Sequence, residues 1–309
     1  MTTIAMLFPG QGSQSVGMGK DFYDGGGSAR SRFEEADGIL GRDLSRIVFD
    51  GPMEELTETR NTQPALFLVE AVMADALSVR GVTPMCAAGH SLGEYSALYA
   101  AGVFSFEDGL RLVAARGEAM AEAGRANPGA MAAVLGMDRD KIADVIATVK
   151  SGIVVAANEN APEQTVISGE TAAVNEACGL LKAAGAKRAM PLPVSGAFHS
   201  PLMKPAAEKL AEALKSVKFS KPRCPVITNV TAKPETDPEL LKDLLIKQLV
   251  SPVRWVDSMK ALAALSPQNC AEVGPGAVLK GLAKKCVPDM NILACDGVNN
   301  LYSIVERLK

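Results

Sequence analysis

Apolar and polar residues follow two periods along this chain, one typical of buried strands and one typical of amphipathic helices. Two short apolar runs, each followed by a turn that contains glycine, predict buried strands at 3–8 and 82–90. Between and after them, apolar residues recur every three to four positions, which predicts helices over 62–80 and 105–123. Strands that alternate with helices in this way predict an α/β fold.

The pattern changes at about residue 128 and predicts a second, smaller lobe. Its strands are expected at 130–137, 152–158, 164–169 and 186–194, and its helices at 139–150 and 170–185. This βαββαβ order is that of the ferredoxin-like split unit, and the turn-rich connector Asn158 to Pro162 suits a hairpin between the middle strands. We therefore expect residues 126–195 to form a small subdomain inserted into a larger core.

The α/β pattern returns after this insertion. Helices are predicted near 204–216, 238–249 and 254–265, and strands at 224–230, 269–274 and 291–296. The expected core therefore comprises residues 1–125 and 196–309.

Composition and charge are those of an ordinary globular protein. The 309 residues are 48% hydrophobic and 22% charged, and the net charge of −3 includes no block of like charges, which argues against a nucleic-acid partner. Six cysteines form no CxxC pair and there are only two histidines, so we expect free thiols and no metal site. Glu70 and Asp75 interrupt the longest apolar segment and no leader is recognisable, so we expect a cytoplasmic protein without a membrane span.

The sequence GHSLG places Ser91 between Gly89 and Gly93, with a predicted strand before it and a predicted helix after it. Short matches of this kind also occur by chance in glycine-rich loops, but the strand and the helix favour a nucleophile elbow, which exposes the serine hydroxyl. The N–H of Leu92, at the start of the helix, can then donate to the oxyanion that forms on the attacked carbonyl.

A serine nucleophile needs a base, and the chain offers two histidines. His90 directly precedes Ser91, and neighbouring side chains near the end of a strand point to opposite sides, so His90 is badly placed. His199 lies in a loop in the sequence PVSGAFHSPLM. A lone histidine is often simply packed in a core, but here His199 is the remaining candidate, and Ser91 with His199 is the predicted dyad.

The glycine-rich loop FPGQGSQ follows the first predicted strand. An elbow enzyme takes its second oxyanion donor from such a loop, so the backbone N–H of Gln11 is the candidate. The alternative, a phosphate-binding loop, is weaker because Gly10 and Gly12 are not followed by a third glycine or by Gly-Lys-Ser/Thr at the required spacing.

Seven short motifs stand in one order over nearly the whole chain, namely FPGQGSQ, NTQPAL, GHSLGEYSAL, AARG, AANENAP, GAFHS and EVGPG. Together they resemble the malonyl-CoA:acyl carrier protein transacylase family. The resemblance implies an α/β-hydrolase-like parallel-sheet core with an inserted ferredoxin-like small lobe. It also implies a ping-pong reaction, in which the serine takes malonyl from coenzyme A and passes it to the phosphopantetheine thiol of acyl carrier protein.

The resemblance assigns the same catalytic residues as the motifs do. Ser91 is the nucleophile, His199 is the base, and the backbone amides of Gln11 and Leu92 form the oxyanion hole. No Asp or Glu is identifiable as a third member of a triad. The family orients its histidine with a backbone carbonyl, which here belongs to Gln248.

Three further residues are implied to bind the acyl group. Arg116 in AARG would form a bidentate pair with the malonyl carboxylate, although the sequence alone predicts only a solvated charge on an amphipathic helix. Gln63 in NTQPAL is expected to contact substrate. Phe198, which precedes the histidine in GAFHS, favours malonyl over the larger methylmalonyl group.

Two other functions are compatible with parts of this pattern. A serine esterase or thioesterase shares the elbow, the dyad and the oxyanion hole, and Arg116 is what discriminates against it. A non-catalytic binding lobe of a larger synthase is disfavoured by the intact Ser91 and His199. The expected partners are malonyl-CoA and holo acyl carrier protein as substrates, without cofactor or metal, and we expect a monomer.

A basic segment near the C-terminus is a candidate docking surface. Carrier proteins are acidic and this chain is net negative, so docking requires a local positive surface. The sequence GPGAVLKGLAKKC predicts a helix that carries such a surface, formed by Lys280, Lys284 and Lys285. The alternative is that these lysines are solvated and only complement the helix dipole.

Overall fold

The computed structural model describes residues 2–194 and 196–308; the predicted lobe end at residue 195 and both terminal residues lie outside these ranges. The strands are β1 (Thr2–Phe8), β2 (Val82–Gly89), β3 (Gly129–Leu135), β4 (Val154–Ala161), β5 (Gln164–Glu170), β6 (Arg188–Pro191), β7 (Val226–Ile227), β8 (Pro234–Glu235), β9 (Cys270–Val273) and β10 (Ile292–Cys295). The helices are α1 (Lys20–Asp24), α2 (Gly27–Leu40), α3 (Leu44–Asp50), α4 (Met53–Thr57), α5 (Thr59–Val79), α6 (Gly93–Ala100), α7 (Phe106–Ala126), α8 (Arg139–Ile146), α9 (Thr171–Ala183), α10 (Lys204–Lys215), α11 (Pro238–Gln248), α12 (Trp255–Ala264), α13 (Val278–Cys286) and α14 (Val298–Arg307).

The larger lobe is built on a six-stranded sheet in the order β10-β9-β1-β2-β7-β8. Neighbouring strands are parallel except at the β7-β8 edge. Side chains of β1 alternate between the two faces: Ile4, Met6 and Phe8 join one apolar core, and Ala5 and Leu7 join the other. Helices cover both faces, and the predicted α/β class is confirmed.

Helix α5 is a core element of this lobe. Of the described helices, it alone is long and apolar enough to span a membrane. Most of its side chains are buried, and it packs against α7, α6 and β2. The apolar length of α5 is therefore accounted for by contacts within the protein.

The smaller lobe has a four-stranded antiparallel sheet in the order β4-β5-β3-β6. Its elements follow each other as βαββαβ, the order predicted from the sequence. Helices α8 and α9 cover one face, where Ala132 and Ile167 contribute to a separate apolar core. Met131 and Val166, on the opposite face, turn toward the larger lobe. A cavity therefore lies between the two lobes.

Backbone hydrogen bonds tie the lobes together at β4. The N–H of Glu159 donates to the carbonyl of Val253 at 2.9 Å, and the N–H of Val253 donates to the carbonyl of Ala157 at 2.8 Å. Val253 precedes α12 of the larger lobe. Strand β4, which lines the cavity, is therefore held by both lobes.

Several predicted elements differ from the observed ones. The strand predicted at 186–194 is only Arg188–Pro191, and the helix predicted at 139–150 ends at Ile146. The connector predicted at 158–162 is mostly strand, since β4 continues to Ala161 and the hairpin turn falls at 162–163. The strand predicted at 224–230 is only Val226–Ile227. It ends early because the backbone and side chain of Asn229 bond to the elbow region rather than to a neighbouring strand.

Several helices have no counterpart in the sequence prediction. Helices α1 to α4 fill the segment between the first loop and α5, and α14 ends the chain. In α2, only Phe33 and Ala36 are buried, so no apolar period marks this helix. Its position comes from packing against α5 and α7 rather than from its own pattern.

Candidate active site

Ser91 lies on a sharp turn between β2 and α6, in the left-handed region with φ of 53°. The turn is possible because Gly89 and Gly93 approach other backbone atoms closely. A Cβ on Gly89 would lie 1.9 Å from the carbonyl carbon of Gly93, and a Cβ on Gly93 would lie 2.0 Å from the carbonyl oxygen of Phe8. The two flanking glycines are therefore a steric requirement of this strained turn.

His199 is hydrogen-bonded to the Ser91 hydroxyl, with 2.8 Å between Nε2 and Oγ. Its Nδ1 is 2.9 Å from the backbone carbonyl of Gln248, which can only accept, so Nδ1 carries the proton and Nε2 is free to take one. Burial first, and the Arg116 charge second, lower the pKa of His199 to about 3. The imidazole is therefore neutral at physiological pH, as a general base must be.

His90 is directed away from the Ser91 hydroxyl. Its Nε2 lies 2.8 Å from Oδ1 of Asn160 on β4, and its ring packs against Trp255 with 5.3 Å between centroids. This contact joins the two lobes beside the cavity. The geometry thus agrees with the expected pairing of Ser91 with His199.

Two backbone N–H groups are available near Ser91. Among the described residues, the N–H groups of Gln11 and Leu92 have no hydrogen-bond partner, and both residues line the cavity. The N–H of Ser91 itself is occupied, because it donates to Oδ1 of Asn229 at 2.7 Å. The two free donors can therefore serve as an oxyanion hole.

Arg116 is buried at 1% exposure, which corrects the solvated position that the helical pattern alone predicts. Its Nη1 donates to Oε1 of Gln63 at 2.7 Å, and its Nη2 donates to Oε1 of Gln248 at 3.0 Å and to Oγ of Ser91 at 3.1 Å. The Tyr95 ring lies 5.5 Å from the guanidinium carbon. Burial lowers the pKa of Arg116, although an arginine stays charged in proteins.

No carboxylate pairs with Arg116 within the described parts of the chain. Its Nε also has no hydrogen-bond partner there. A buried cation is costly unless it is paired, so the site favours a ligand that brings its own anion to Arg116.

Gln63 and Phe198 occupy different positions relative to the cavity. Gln63 is buried behind Arg116, bonded to its guanidinium and to Sδ of Met120, and does not line the cavity. The direct substrate contact expected of Gln63 is therefore replaced by a contact with Arg116. Phe198 lines the cavity wall.

The cavity between the lobes has a volume of about 210 Å³, with Ser91, Arg116 and His199 in its wall. A wider groove of about 760 Å³ lies next to it and shares Gln11 and Phe198 with it. A small acyl group fits the inner part, and the groove offers a route for a longer arm.

Sequence reasoning missed two residues that shape the site. Asn229 accepts from the N–H of Ser91, and its Nδ2 donates to the carbonyl of Gly89 at 2.6 Å, so it clamps the elbow on both sides. Glu94 is fully buried behind Ser91. Glu94 lies inside the GHSLGE motif, and this position could have marked it as a site residue. Asn229 lies in a strand-like run that contains no motif.

The predicted docking lysines lie on α13. Lys280, Lys284 and Lys285 are exposed, and Nζ of Lys285 donates to Oε1 of Gln164 on the smaller lobe at 2.9 Å. Next to them, Sγ of Cys286 lies 3.5 Å from the carbonyl of Asn160, which lines the cavity. The basic helix therefore packs behind one wall of the cavity.

The thiols and acidic side chains form no metal centre in the described residues. No group of three or more His, Cys, Asp or Glu side chains there could hold a metal ion. The six cysteines are free, and all but Cys286 are buried.

The contacts around Ser91 are those that the formation and breakdown of an ester require, and the fold and the site together are typical of a serine acyl-transfer enzyme. Comparison with known proteins shows to which family of acyl-transfer enzymes the chain belongs. Residues 5–298 match the family model described as acyl transferase domain, and the chain belongs to this family, among the malonyl CoA-acyl carrier protein transacylases.

The relatives are similar over the full chain. The malonyl CoA-acyl carrier protein transacylase of Bacillus subtilis (strain 168) is 47% identical to this chain, and the match covers 100% of this chain and 98% of the relative. That of Escherichia coli (strain K12) is 44% identical, with 99% of this chain and 100% of its own covered.

Solved structures show a similarity over nearly the full chain as well. An acyl carrier protein S-malonyltransferase from Vibrio cholerae has a TM-score of 0.94 and 44% identity, with 98% of this chain and 100% of that one covered. A malonyl-transacylase in complex with a holo type II polyketide-synthase acyl carrier protein has a TM-score of 0.95 and 42% identity, with 99% and 100% covered.

Proposed function

We propose that this protein transfers malonyl from coenzyme A to the phosphopantetheine thiol of an acyl carrier protein, through an ester on Ser91. The observation that carries the substrate class is the buried Arg116, 3.1 Å from the Ser91 hydroxyl and without a carboxylate partner in the described residues. A malonyl group supplies that carboxylate. The names of the relatives support the same activity. The thioesters are substrates, and the reaction needs no cofactor.

The first half-reaction forms the acyl-enzyme. His199 takes the proton of Ser91 as Oγ attacks the thioester carbonyl, and the N–H groups of Gln11 and Leu92 donate to the oxyanion. The tetrahedral intermediate then collapses, the C–S bond breaks, and coenzyme A leaves with the proton held by His199. The carbonyl of Gln248 accepts from Nδ1 throughout and stabilises the imidazolium that forms.

The second half-reaction reverses the first with a different thiol. His199 takes the proton of the phosphopantetheine thiol, whose sulfur attacks the ester carbonyl, and Ser91 recovers its proton as the C–O bond breaks. Arg116 holds the malonyl carboxylate in both halves, Gln63 holds Arg116, and Phe198 limits the size of the acyl group.

A mass experiment tests this function and separates it from the esterase alternative. The protein is mixed with malonyl-CoA and its intact mass is measured, and holo acyl carrier protein is then added. We expect a malonyl adduct that moves to the carrier. Ser91→Ala should form no adduct, and His199→Ala should form it about 10²–10⁴-fold more slowly. An adduct that water removes as fast as the carrier does would indicate a hydrolase.

Further assignments belong with this proposal. The parallel sheet with Ser91 on a strand-to-helix elbow supports an α/β-hydrolase-like core, 1–125 with 196–309, and the βαββαβ element order supports a ferredoxin-like lobe at 126–195. We expect the malonyl group to enter fatty-acid synthesis, with polyketide synthesis as the alternative. The cytoplasmic location and the monomeric state stay predictions, to be checked by cell fractionation and light scattering.

A further inference from the structure

A buried amide connects Arg116 to a carboxylate that the ester chemistry does not use. The side chain of Gln248 accepts from Nη2 of Arg116 through Oε1 at 3.0 Å. Its Nε2 donates to Oε2 of Glu94 at 2.8 Å and to the carbonyl of Ser91 at 3.0 Å. Gln248 and Glu94 are fully buried, at 0% exposure.

The orientation of this amide follows from its two charged neighbours. With Oε1 toward the guanidinium and Nε2 toward the carboxylate, both contacts are attractive. The flipped orientation would direct Oε1 at the Glu94 carboxylate and the NH₂ group at Arg116, and both contacts would become repulsive. Glu94 therefore selects one orientation of the Gln248 amide.

Glu94 is itself held in place by a second donor. The backbone N–H of Asn229 donates to Oε2 at 3.0 Å, the same oxygen that accepts from Gln248, and Oε1 has no partner in the described residues. Burial raises the pKa of Glu94 to about 7, and the donors of Asn229 and Gln248 and the Arg116 charge oppose this rise.

We propose that Glu94 is a positioning residue for acyl-group selection: it fixes the Gln248 amide, which in turn holds the Arg116 guanidinium ready for the substrate carboxylate. This inference rests on the proposed function, because it concerns an acyl group that carries a carboxylate. In the described residues, the Glu94 side chain accepts only from the N–H of Asn229 and from Gln248, so it acts through Gln248 rather than on the dyad side chains.

The test compares the acylation of Ser91 by malonyl-CoA and by acetyl-CoA, each followed by intact mass. Glu94→Met keeps most of the volume but removes the acceptor, which frees the amide. We expect the malonyl-to-acetyl ratio of kcat/KM to fall by about 10- to 100-fold, the range for a lost hydrogen bond to a charged group. Because both substrates use the same elbow, any loosening of Ser91 cancels in this ratio.

Glu94→Gln is the conservative variant. The N–H of Asn229 requires an acceptor and keeps the new amide oxygen at the position of Oε2, so Gln248 retains its partner. The ratio should stay within about threefold of the unaltered protein, since the hydrogen bonds survive and only the charge is lost. Rescue by Gln would show that Gln248 requires an acceptor at the position of Oε2 rather than the negative charge of Glu94.

Gln248→Met provides an independent second variant. It keeps the backbone carbonyl that His199 uses and removes the side-chain link between Glu94 and Arg116. We expect the same change of ratio as in Glu94→Met, and no further change in the double variant, because the two residues act in one chain of contacts. If Glu94→Met does not fold, as judged by thermal unfolding, Glu94→Ala takes its place.

Glu70→Met is the matched control. Glu70 is as deeply buried as Glu94, and its carboxylate oxygens have no hydrogen-bond partner in the described residues. This variant should leave the ratio unchanged. Equal losses of malonyl and acetyl acylation in Glu94→Met, or no loss of either, would overturn the inference. Failure of the unaltered protein to accept malonyl on Ser91 would instead overturn the proposed function.

Discussion

His199 and Arg116 both contact the Ser91 hydroxyl, and the Arg116 charge disfavours protonation of His199. Burial and the nearby guanidinium both lower the pKa of His199. A substrate carboxylate bound to Arg116 would cancel much of the second effect. Substrate binding would therefore raise the pKa of His199 and make it a stronger base when the acyl group is in place.

The ionisation of His199 is the first prediction. Its folded pKa of about 3 lies below the ordinary value near 6.5, so protonation is deferred to acidic pH and the unfolded chain binds the proton first. Stability contributed by the neutral form is thus lost as the pH falls below 6.5. In ¹⁵N-histidine NMR, Nε2 of His199 should stay unprotonated from pH 8 to 5. A titration midpoint near 6.5 would contradict this, and His199→Ala assigns the signal.

Arg116→Ala is the second prediction. The loss of the guanidinium should reduce malonyl acylation by about 10²–10⁴-fold, since two hydrogen bonds to a charged group are removed, while acetyl acylation is kept or increased. The measurement is kcat/KM with each thioester. Arg111→Ala is the control, because Arg111 lies on the same helix, exposed and paired with Glu107. Equal losses with both substrates would show that Arg116 is structural.

At the scale of elements, a carboxylate from the sheet caps the first turn of α13. Glu272 on β9 is buried, and its two oxygens accept from the N–H groups of Leu279 at 2.9 Å and Lys280 at 2.8 Å. The N-cap residue Ala277 provides no side-chain acceptor. Glu272 therefore caps the first turn and fixes the direction of the helix that carries the basic surface.

The third prediction concerns this cap. Glu272→Ala should lower the free energy of unfolding by about 1–3 kcal/mol, because it leaves two N–H groups without an acceptor. Glu272→Gln should cost less. Urea unfolding measures both, and Glu306→Ala, an exposed acid on α14, should change stability by no more than about 0.5 kcal/mol. An unchanged urea midpoint in Glu272→Ala would show that α13 needs no cap.

Elements with a strong local pattern were predictable from the sequence, and those fixed by distant contacts were not. The start of α7 follows from the cap at Ser105, whose side chain accepts from the N–H of Asp108. Strand β7 is shorter than its apolar run, because Asn229 turns to a serine 138 positions away. Local periodicity contains no information about such a contact.

At the scale of the whole molecule, the candidate active site lies at the boundary between the two lobes. The larger lobe contributes Ser91, Arg116 and His199, and the smaller lobe contributes the facing wall with Met131 and Val166. Ser91 and His199 could be paired from sequence because a motif marks one and only two histidines exist. The burial of Arg116 could not, because it depends on how Gln63 and Gln248 approach from other elements.

The last prediction concerns how the protein associates with acyl carrier protein. The net charge of −3 repels an acidic protein at long range, so encounter depends on a local positive surface. Lys284 and Lys285 are exposed on α13, beside the smaller lobe. We propose that they form part of the docking surface. Exposed charges of this kind act mainly on the association rate and are screened by salt.

Lys284→Glu combined with Lys285→Glu should raise the KM for carrier protein, less so at high salt, and leave acylation by malonyl-CoA unchanged. The matched control is Lys215→Glu with Lys218→Glu, which reverses two exposed lysines on and after α10 and changes the net charge equally. Both double variants change the net charge equally, so their long-range repulsion of an acidic carrier is the same. A larger KM in the Lys284 and Lys285 variant therefore indicates a local role of these two lysines. A parallel fall in acylation by malonyl-CoA would instead make Lys284 and Lys285 contacts of coenzyme A or supports of the core.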